Sequence, residues 1–308
     1  MKYKIWLNEW LENYVKVSSK IRTVERYEQI ISKHISPKLG DYDLDELTPI
    51  LIQKYVSELL TQGNKRTGLG LAPNTVNSII NVVQSSIHLA YDFGLILNGM
   101  TKIKRPKVIE KKVDCFTILE QKKIEKEVLE GSKPYMIGVI ISLYTGLRIG
   151  ELLALEWSDL DFSLEIMNIS KSCHDGKIDN CQFGRIIDTP KTKSSIRTIP
   201  LPKKLIPILK NYKKICRSNY IISKGNKEIS IRTYQRNFKA LLQKLNIENH
   251  TFHSLRHTFA TRALECGMDV KTLSEILGHK SPVITLNRYV HSMFEHKKKM
   301  MNIIGKLL

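Results

Sequence analysis

The stretch His253-Ser254-Leu255-Arg256-His257, followed by Leu277-Gly278-His279 and then by Tyr289, decides how the chain reads. Its counterpart lies far upstream, in Tyr144-Thr145-Gly146-Leu147-Arg148-Ile149-Gly150-Glu151-Leu152. Each residue type has a chemical use. A phenol can become a nucleophile, two guanidinium forks can hold a pentavalent phosphate with bidentate geometry, and imidazoles move protons near neutral pH. Ionising a free tyrosine at neutral pH costs about three pKa units, or roughly 4 kcal/mol. One well-placed donor to a developing oxyanion contributes on the order of 3–4 kcal/mol. Two arginines and a lysine in one pocket therefore supply the right order of magnitude, with no metal cation needed, for attack on a phosphodiester.

Composition agrees with such a substrate. Of 308 residues, 49 are Lys or Arg against 30 Asp or Glu, a formal charge of +19 with a sequence pI near 9.6. That balance suits a nucleic-acid binder. At 42% hydrophobic the chain is long enough for two cores, and disorder is excluded as its main state. There is no apolar run of about 18 residues or more, and Met1-Lys2-Tyr3-Lys4 leads into an amphipathic helix rather than a signal peptide. A soluble protein of the cytoplasm, associated with the nucleoid and not with a membrane, is expected. Cys115, Cys173, Cys181, Cys216 and Cys266 are odd in number and contain no C-x-x-C pair, so neither a disulfide framework nor a zinc ribbon is indicated. Cys173 and Cys181 flank Asp175-Gly176-Lys177, expected as a turn, and face each other if that turn closes a hairpin.

Outward from the decisive stretches, the chain divides into a helical first part and a mixed second part. Trp6, Trp10 and Tyr14, beside Leu7, Leu11 and Val15, form one broad apolar stripe. A second helix starts near Thr23, turns Val24, Tyr27, Ile30 and Ile31 inward, and stops before Pro37. Thr48-Pro49 reads as a cap plus first-turn proline for a helix reaching Gly63. The basic, glycine-broken loop Asn64-Lys65-Arg66-Thr67-Gly68-Leu69-Gly70 precedes a fourth helix from about Pro73 to Asp92. Four helices with such a loop suit phosphate contacts with a duplex, which need surface Lys and Arg but no motif.

Lys102, Lys104, Arg105, Lys107, Lys111 and Lys112 surround Pro106 with few apolar positions, which marks 102–114 as a basic linker between domains 1–101 and 115–308. Thr117-Ile118-Leu119-Glu120 is a capping box that restarts helix. Helices are expected over about 117–130 and 133–145 and from Arg148 through Trp157. Short antiparallel strands are expected within 165–201, and helix again from about Pro202. The fold expected is mainly α: four N-terminal helices, then a mostly helical α+β domain with a small antiparallel sheet.

Five stretches carry a resemblance: Thr145 to Leu152, Pro190-Lys191-Thr192-Lys193-Ser194-Ser195, His253 to His257, Leu277 to His279, and Asn287-Arg288-Tyr289. Their order and distances resemble the catalytic domain of tyrosine recombinases, the phage integrase family. The four N-terminal helices resemble that family's core-binding domain. The resemblance implies that Arg148 and Arg256 hold the scissile phosphate and that Tyr289 attacks phosphorus to give a 3′-phosphotyrosyl link. It further implies that Lys191 protonates the leaving 5′ oxygen, His253 acts as acid or base, and His279 hydrogen-bonds the phosphate. Glu151 resembles the carboxylate that holds the arginine. Motif register favours Lys191, although Lys193 points to the same side of a strand. Tyr289 stands ten residues after His279, where some members have nine.

No metal and no cofactor is expected: Ser254 stands where an H-E-x-x-H protease needs its glutamate, and no P-loop pattern occurs. Asp159 and Asp161 read as cap or turn residues, and Tyr144, Tyr220 and Tyr234 as packing residues. Lys65, Arg66, Lys102, Lys104, Arg105 and Lys107 are the expected DNA contacts. Double-stranded DNA is the expected partner, with a homotetramer on DNA and an accessory directionality factor. The tail, 292–308, packs either on its own domain or on a neighbouring subunit. Integration or excision of a mobile element leads. Chromosome-dimer resolution, a nicking topoisomerase and a non-enzymatic regulator are the rivals. The chain begins almost directly with the core-binding helices, so an extra arm-binding module before them is not expected.

Overall fold

The apolar stripe of the first residues buries itself as one helix face. In the computed structural model, helix α1 (Tyr3–Trp10) turns Tyr3, Trp6, Leu7 and Trp10 inward. The residues described are 1–97, 103–109, 115–177, 183–188, 196–225, 227–289, 298, 301–302 and 304–305, the side chains of 177, 183 and 287–289 excepted. They form two units, Met1–Lys111 and Lys112–Leu308.

In the first unit, α1 runs through a π-helical turn, Leu11–Val15, into α2 (Lys16–Ser18), with the Lys16 N–H donating to the carbonyl of Leu11 five residues back. This wider turn takes Tyr14 off the stripe. Tyr14 is consequently exposed, resting on the rings of Trp6 and Phe93, rather than part of the core. The next helix differs from expectation in the same way. After α3 (Ile21–Ile30) it continues through a second π turn, Ile31–Ile35, into α4 (Ser36–Leu39), which contains Pro37. The Ser36 N–H reaches back five residues to Ile31, and the widened turn accommodates a proline that has no N–H to give.

Thr48 caps α5 (Pro49–Gln62) through the Leu51 N–H, and α6 (Pro73–Asp92) follows. The core closes on Ser86 of α6. Its hydroxyl lies 2.7 Å from the buried Tyr3 Oη, and its carbonyl accepts from Trp6 Nε1 at 2.8 Å, so the polar ends of both aromatics are satisfied. The described part of the basic stretch is tied to these helices. Ile103 is buried, Gln53 exchanges hydrogen bonds with the Lys104 backbone, and Asn77 donates to the Pro106 carbonyl.

In the second unit, Thr117 and Glu120 close their reciprocal box at the start of α7 (Ile118–Glu130). A 3-10 turn, Pro134–Met136, leads into α8 (Ile137–Thr145), apolar almost all round and buried at the centre of the unit. It stops at Gly146, whose φ of 67° is left-handed, and a Cβ there would lie 2.5 Å from the Phe259 ring. Only glycine satisfies both conditions. Arg148 is extended, and α9 (Ile149–Leu153) is shorter than the helix expected through Trp157. The chain leaves it to bridge Glu156 with Tyr220 before a 3-10 turn, Trp157–Asp159.

Strands β1 (Leu160–Asp161), β2 (Ile166–Ile169) and β5 (Arg197–Pro200) form one antiparallel sheet in the order β1-β2-β5. Strands β3 (Ser172–Lys177) and β4 (Phe183–Asp188) form a separate hairpin. Residues 185–201 are thus divided between two sheets. Asp175 and Gly176 lie within a strand, opposite Arg185 and Gly184, rather than in the turn. Cys173 is paired with Ile187, so the register does not set it facing Cys181, which lies outside the described residues.

The remaining elements are α10 (Leu205–Ile215), the strands β6 (Ser223–Lys224) and β7 (Lys227–Glu228), α11 (Ile231–Lys244), α12 (Phe252–Glu265), α13 (Val270–Leu277) and α14 (Pro282–Tyr289). No described helix is long and apolar enough to cross a membrane.

Candidate active site

The C-terminal end of α13 organises the site. A helix ends with carbonyls that have no intrahelical donor and carry the negative end of its dipole. Here arginines from three other elements use them. Arg256, on α12, is 2% exposed, and it donates from Nη2 to the Leu277 carbonyl at 2.7 Å and from Nη1 to the Gly146 carbonyl at 2.8 Å. Arg148, extended ahead of α9, donates to the same Leu277 carbonyl at 3.1 Å and to the Gly278 carbonyl at 3.2 Å. Arg197, at the start of β5, donates from Nε to the Ile276 carbonyl at 2.5 Å. Two residues 108 positions apart in sequence, Arg148 and Arg256, therefore share one acceptor.

Glu151 offsets part of this charge. It is 4% exposed, and its Oε1 accepts from Arg148 Nη1 at 2.8 Å while Oε2 accepts the Arg148 backbone N–H at 3.0 Å. Arg197 grips both carboxylate oxygens at 3.0 and 3.2 Å. Burial alone would push the Glu151 carboxyl up. The Arg197 and Arg148 guanidiniums outweigh it and hold the group below the usual carboxylate range. With one carboxylate among three guanidiniums, positive charge remains in excess, as an anionic ligand requires.

Gly278 terminates α13 with φ of 63°, and a Cβ there would sit 3.0 Å from Arg197 Nη1. A side chain is strained there by the backbone and displaces the guanidinium as well. Gly278→Ala is expected to lower stability by about 1–2 kcal/mol, with a parallel loss of activity, read by thermal denaturation and the cleavage assay described below. An unchanged melting temperature would contradict this role for the glycine.

His279 follows directly. Its Nδ1 lies 2.7 Å from Oγ1 of Thr285, a fully buried residue of α14. His253 is exposed in the first turn of α12, its ring centred 4.5 Å from that of His257, edge to face. Among the described residues no group of three or more His, Cys, Asp or Glu side chains is placed to hold a metal ion. Asp161 accepts from the Ser163 and Leu164 N–H groups and Asp159 from that of Glu156, as turn and cap residues do.

Tyr289 is the last residue of α14, four positions after Thr285, and its side chain lies outside the described atoms, as do Lys191, Lys193 and Lys102 entirely. The other tyrosines considered are packed. Tyr234 is wholly buried, and burial raises its phenol far above the ordinary value; Tyr220 lies under the Arg185 guanidinium; Tyr144 packs against the core. Lys65 and Arg66 are exposed on the turn after α5. Lys104 and Lys107 are exposed, and Arg105 hydrogen-bonds to Asn81 and Gln84 of α6. Of the tail, residues 298, 301–302 and 304–305 alone are described. Arg197 and Thr285 escape the reading of the sequence, because neither belongs to a motif with its own chemical signature.

The sequence profile of the phage integrase family matches residues 117–296, and that of the N-terminal SAM-like domain of phage integrases matches residues 2–60. A tyrosine recombinase XerC-like protein of Caldanaerobacter subterraneus subsp. tengcongensis is 29% identical over 98% of this chain and 82% of its own length. The ICEBs1 integrase of Bacillus subtilis is 26% identical over 95% of this chain and 80% of its own length. Among solved structures, the Tn1549 transposon integrase in complex with a circular intermediate DNA superposes with a TM-score of 0.83, at 21% identity over 99% of both chains. A lambda integrase dimer bound to a core site gives 0.69, at 20% identity over 94% of this chain and 95% of the other. Both share the fold.

Proposed function

Since the chain belongs to the phage integrase family, we propose that it is a site-specific DNA recombinase that integrates or excises a mobile element. The observation that carries this reading is the meeting of Arg148 and Arg256 on the Leu277 carbonyl, two residues before His279. Tyr289 forms a bond to phosphorus while the bond from phosphorus to the 5′ oxygen breaks. Lys191 gives that oxygen its proton, Arg148 and Arg256 hold the nonbridging oxygens, His279 hydrogen-bonds the phosphate, and His253 serves the proton transfers. Rejoining reverses the step with a new 5′ hydroxyl, so bond energy is kept and neither ATP nor a metal ion enters.

The first unit, with Lys65, Arg66 and the basic stretch around Lys102, Lys104, Arg105 and Lys107, tracks the phosphates of double-stranded DNA. Synapsis assembles a homotetramer, and an accessory factor sets direction. The ICEBs1 integrase and a transposase from transposon Tn916 of Enterococcus faecalis, 27% identical over 94% of this chain and 74% of its own length, favour a mobile element over chromosome-dimer resolution.

The test uses nicked suicide duplexes tiled across the host DNA flanking the coding sequence, with EDTA present and ATP absent. A covalent protein–DNA adduct on one duplex is expected. Binding without any adduct would favour a regulator, and an adduct that never yields joined duplexes would favour a topoisomerase.

A further inference from the structure

We propose that Arg197 is a positioning residue for cleavage, which holds the Glu151 carboxylate and through it keeps Arg148 oriented toward the phosphate. The inference rests on the recombinase reading above and deepens it at the same site.

Arg197 lies at the start of β5, just beyond the segment that carries Lys191, and its side chain is 7% exposed. It joins two further parts of the site. Two of its nitrogens grip the Glu151 carboxylate, and the third donates to the α13 carbonyl of Ile276, three residues before His279. The plane also packs over Gly278, which leaves just enough room for it. A buried guanidinium held by these hydrogen bonds to two separate elements is fixed in orientation, and it fixes those elements in turn.

Electrostatics gives this a consequence beyond stiffness. Glu151 is buried, and the second guanidinium helps keep its carboxylate ionised, so that it remains a strong acceptor holding Arg148 in place. Shared between two guanidiniums, one carboxylate orients Arg148 and leaves the trio positive. The charged groups acting on Glu151 are Arg197 from β5 and Arg148 from the start of its own helix. Of the elements around α9, α8 carries no charged residue; β3 brings Ser172 and the Cys173 backbone against Gly150, with its His174 half-buried and its Asp175 accepting the Ile231 and Arg232 N–H groups; and Arg232 and Arg236 of α11 are exposed. Cys173 itself stays neutral, its thiol pushed up by burial to about 11.

Without Arg197, burial of Glu151 is opposed by Arg148 alone, so its folded-state pKa moves up. Two deficits of an Arg197→Met variant then change with pH in opposite directions. Protonating Glu151 frees Arg148 from its orienting partner, so the cleavage deficit widens as pH falls through the raised value. Stability behaves otherwise. The unaltered protein owes to its depressed Glu151 pKa a stabilisation that is present at higher pH. The variant's shortfall is therefore full above its raised pKa and shrinks as pH falls through it.

The experiment measures single-turnover adduct formation on the suicide duplex, and thermal stability, for the unaltered protein, Arg197→Met and Arg197→Lys between pH 8 and pH 5. Arg197→Met should cleave on the order of 10- to 100-fold more slowly at pH 8, the scale of partners that orient a reacting group, with duplex binding unchanged. Its cleavage deficit should widen toward pH 5 while its stability deficit narrows. Arg197→Lys, which keeps the charge without the three-way grip, should recover part of the rate and show a cleavage deficit that does not vary with pH. The proposal is overturned if Arg197→Met cleaves at the unaltered rate, or if both deficits stay constant across the range, as for a merely structural arginine. Absence of an adduct from the unaltered protein would instead count against the recombinase reading, and the stability series, which needs no DNA, still decides whether Arg197 holds the charge of Glu151.

Discussion

Tyr289→Phe should form no covalent adduct on the suicide duplex while binding it as tightly as the unaltered protein. The substitution removes one oxygen from the end of α14 and leaves the arginine site untouched, since the guanidiniums are held by Glu151 and by the carbonyls of Gly146, Ile276, Leu277 and Gly278. In enzymes that use one nucleophilic side chain, its removal costs on the order of 10⁶ in rate, which lies below detection here. Two tyrosines of the same unit are no ready substitutes. Tyr234 is sealed in the core with its phenol pushed far up, and Tyr220 is covered by Arg185. A denaturing gel that still showed the DNA-linked band from Tyr289→Phe would remove the residue from its role.

Arg256 should give the second largest effect, and on two readouts at once. It is among the largest fully buried side chains, bridging the end of α8 at Gly146 and the end of α13 at Leu277. Arg256→Ala leaves the Gly146 carbonyl without this donor and opens a cavity. A stability loss of about 2–4 kcal/mol is expected by chemical denaturation, with cleavage reduced at least 10²- to 10³-fold. Arg256→Lys separates the contributions. An ammonium keeps the charge but not the planar fork that reaches two carbonyls at once and, on the proposed mechanism, would also face the phosphate. Most of the stability should return while cleavage stays down by about 10²-fold. Near-normal cleavage by Arg256→Lys would mean that the fork geometry is unimportant.

The parts of this molecule legible in its sequence are those where one local rule acts alone. Thr48-Pro49 and the Thr117 to Glu120 box start helices where capping chemistry places them, and Met167 and Ile169 point inward as alternation requires. Tyr14 and Pro37 depart from the reading of the sequence because Tyr14 sits in a π turn and Pro37 follows one by two residues, and a π turn changes the phase of the helix without a mark in the sequence. Gly176 looked like a turn, but its place in β3 follows from the register with Gly184, a long-range pairing. In the site, Arg148, Glu151 and Arg256 stood out because their neighbours form motifs. Arg197 did not, since its importance lies in reaching Glu151 and Ile276 at once, and a contact between residues 46 and 79 positions apart is written in no single stretch.

On the proposed mechanism, the guanidiniums and the His279 imidazole gathered at the end of α13 serve one phenol. The most direct test digests the DNA-linked protein to peptides and locates the linkage by mass spectrometry. A deoxynucleotide 3′-phosphate on Tyr289 is the expected result, and the same modification on any other residue, with Tyr289 unmodified, would contradict the account.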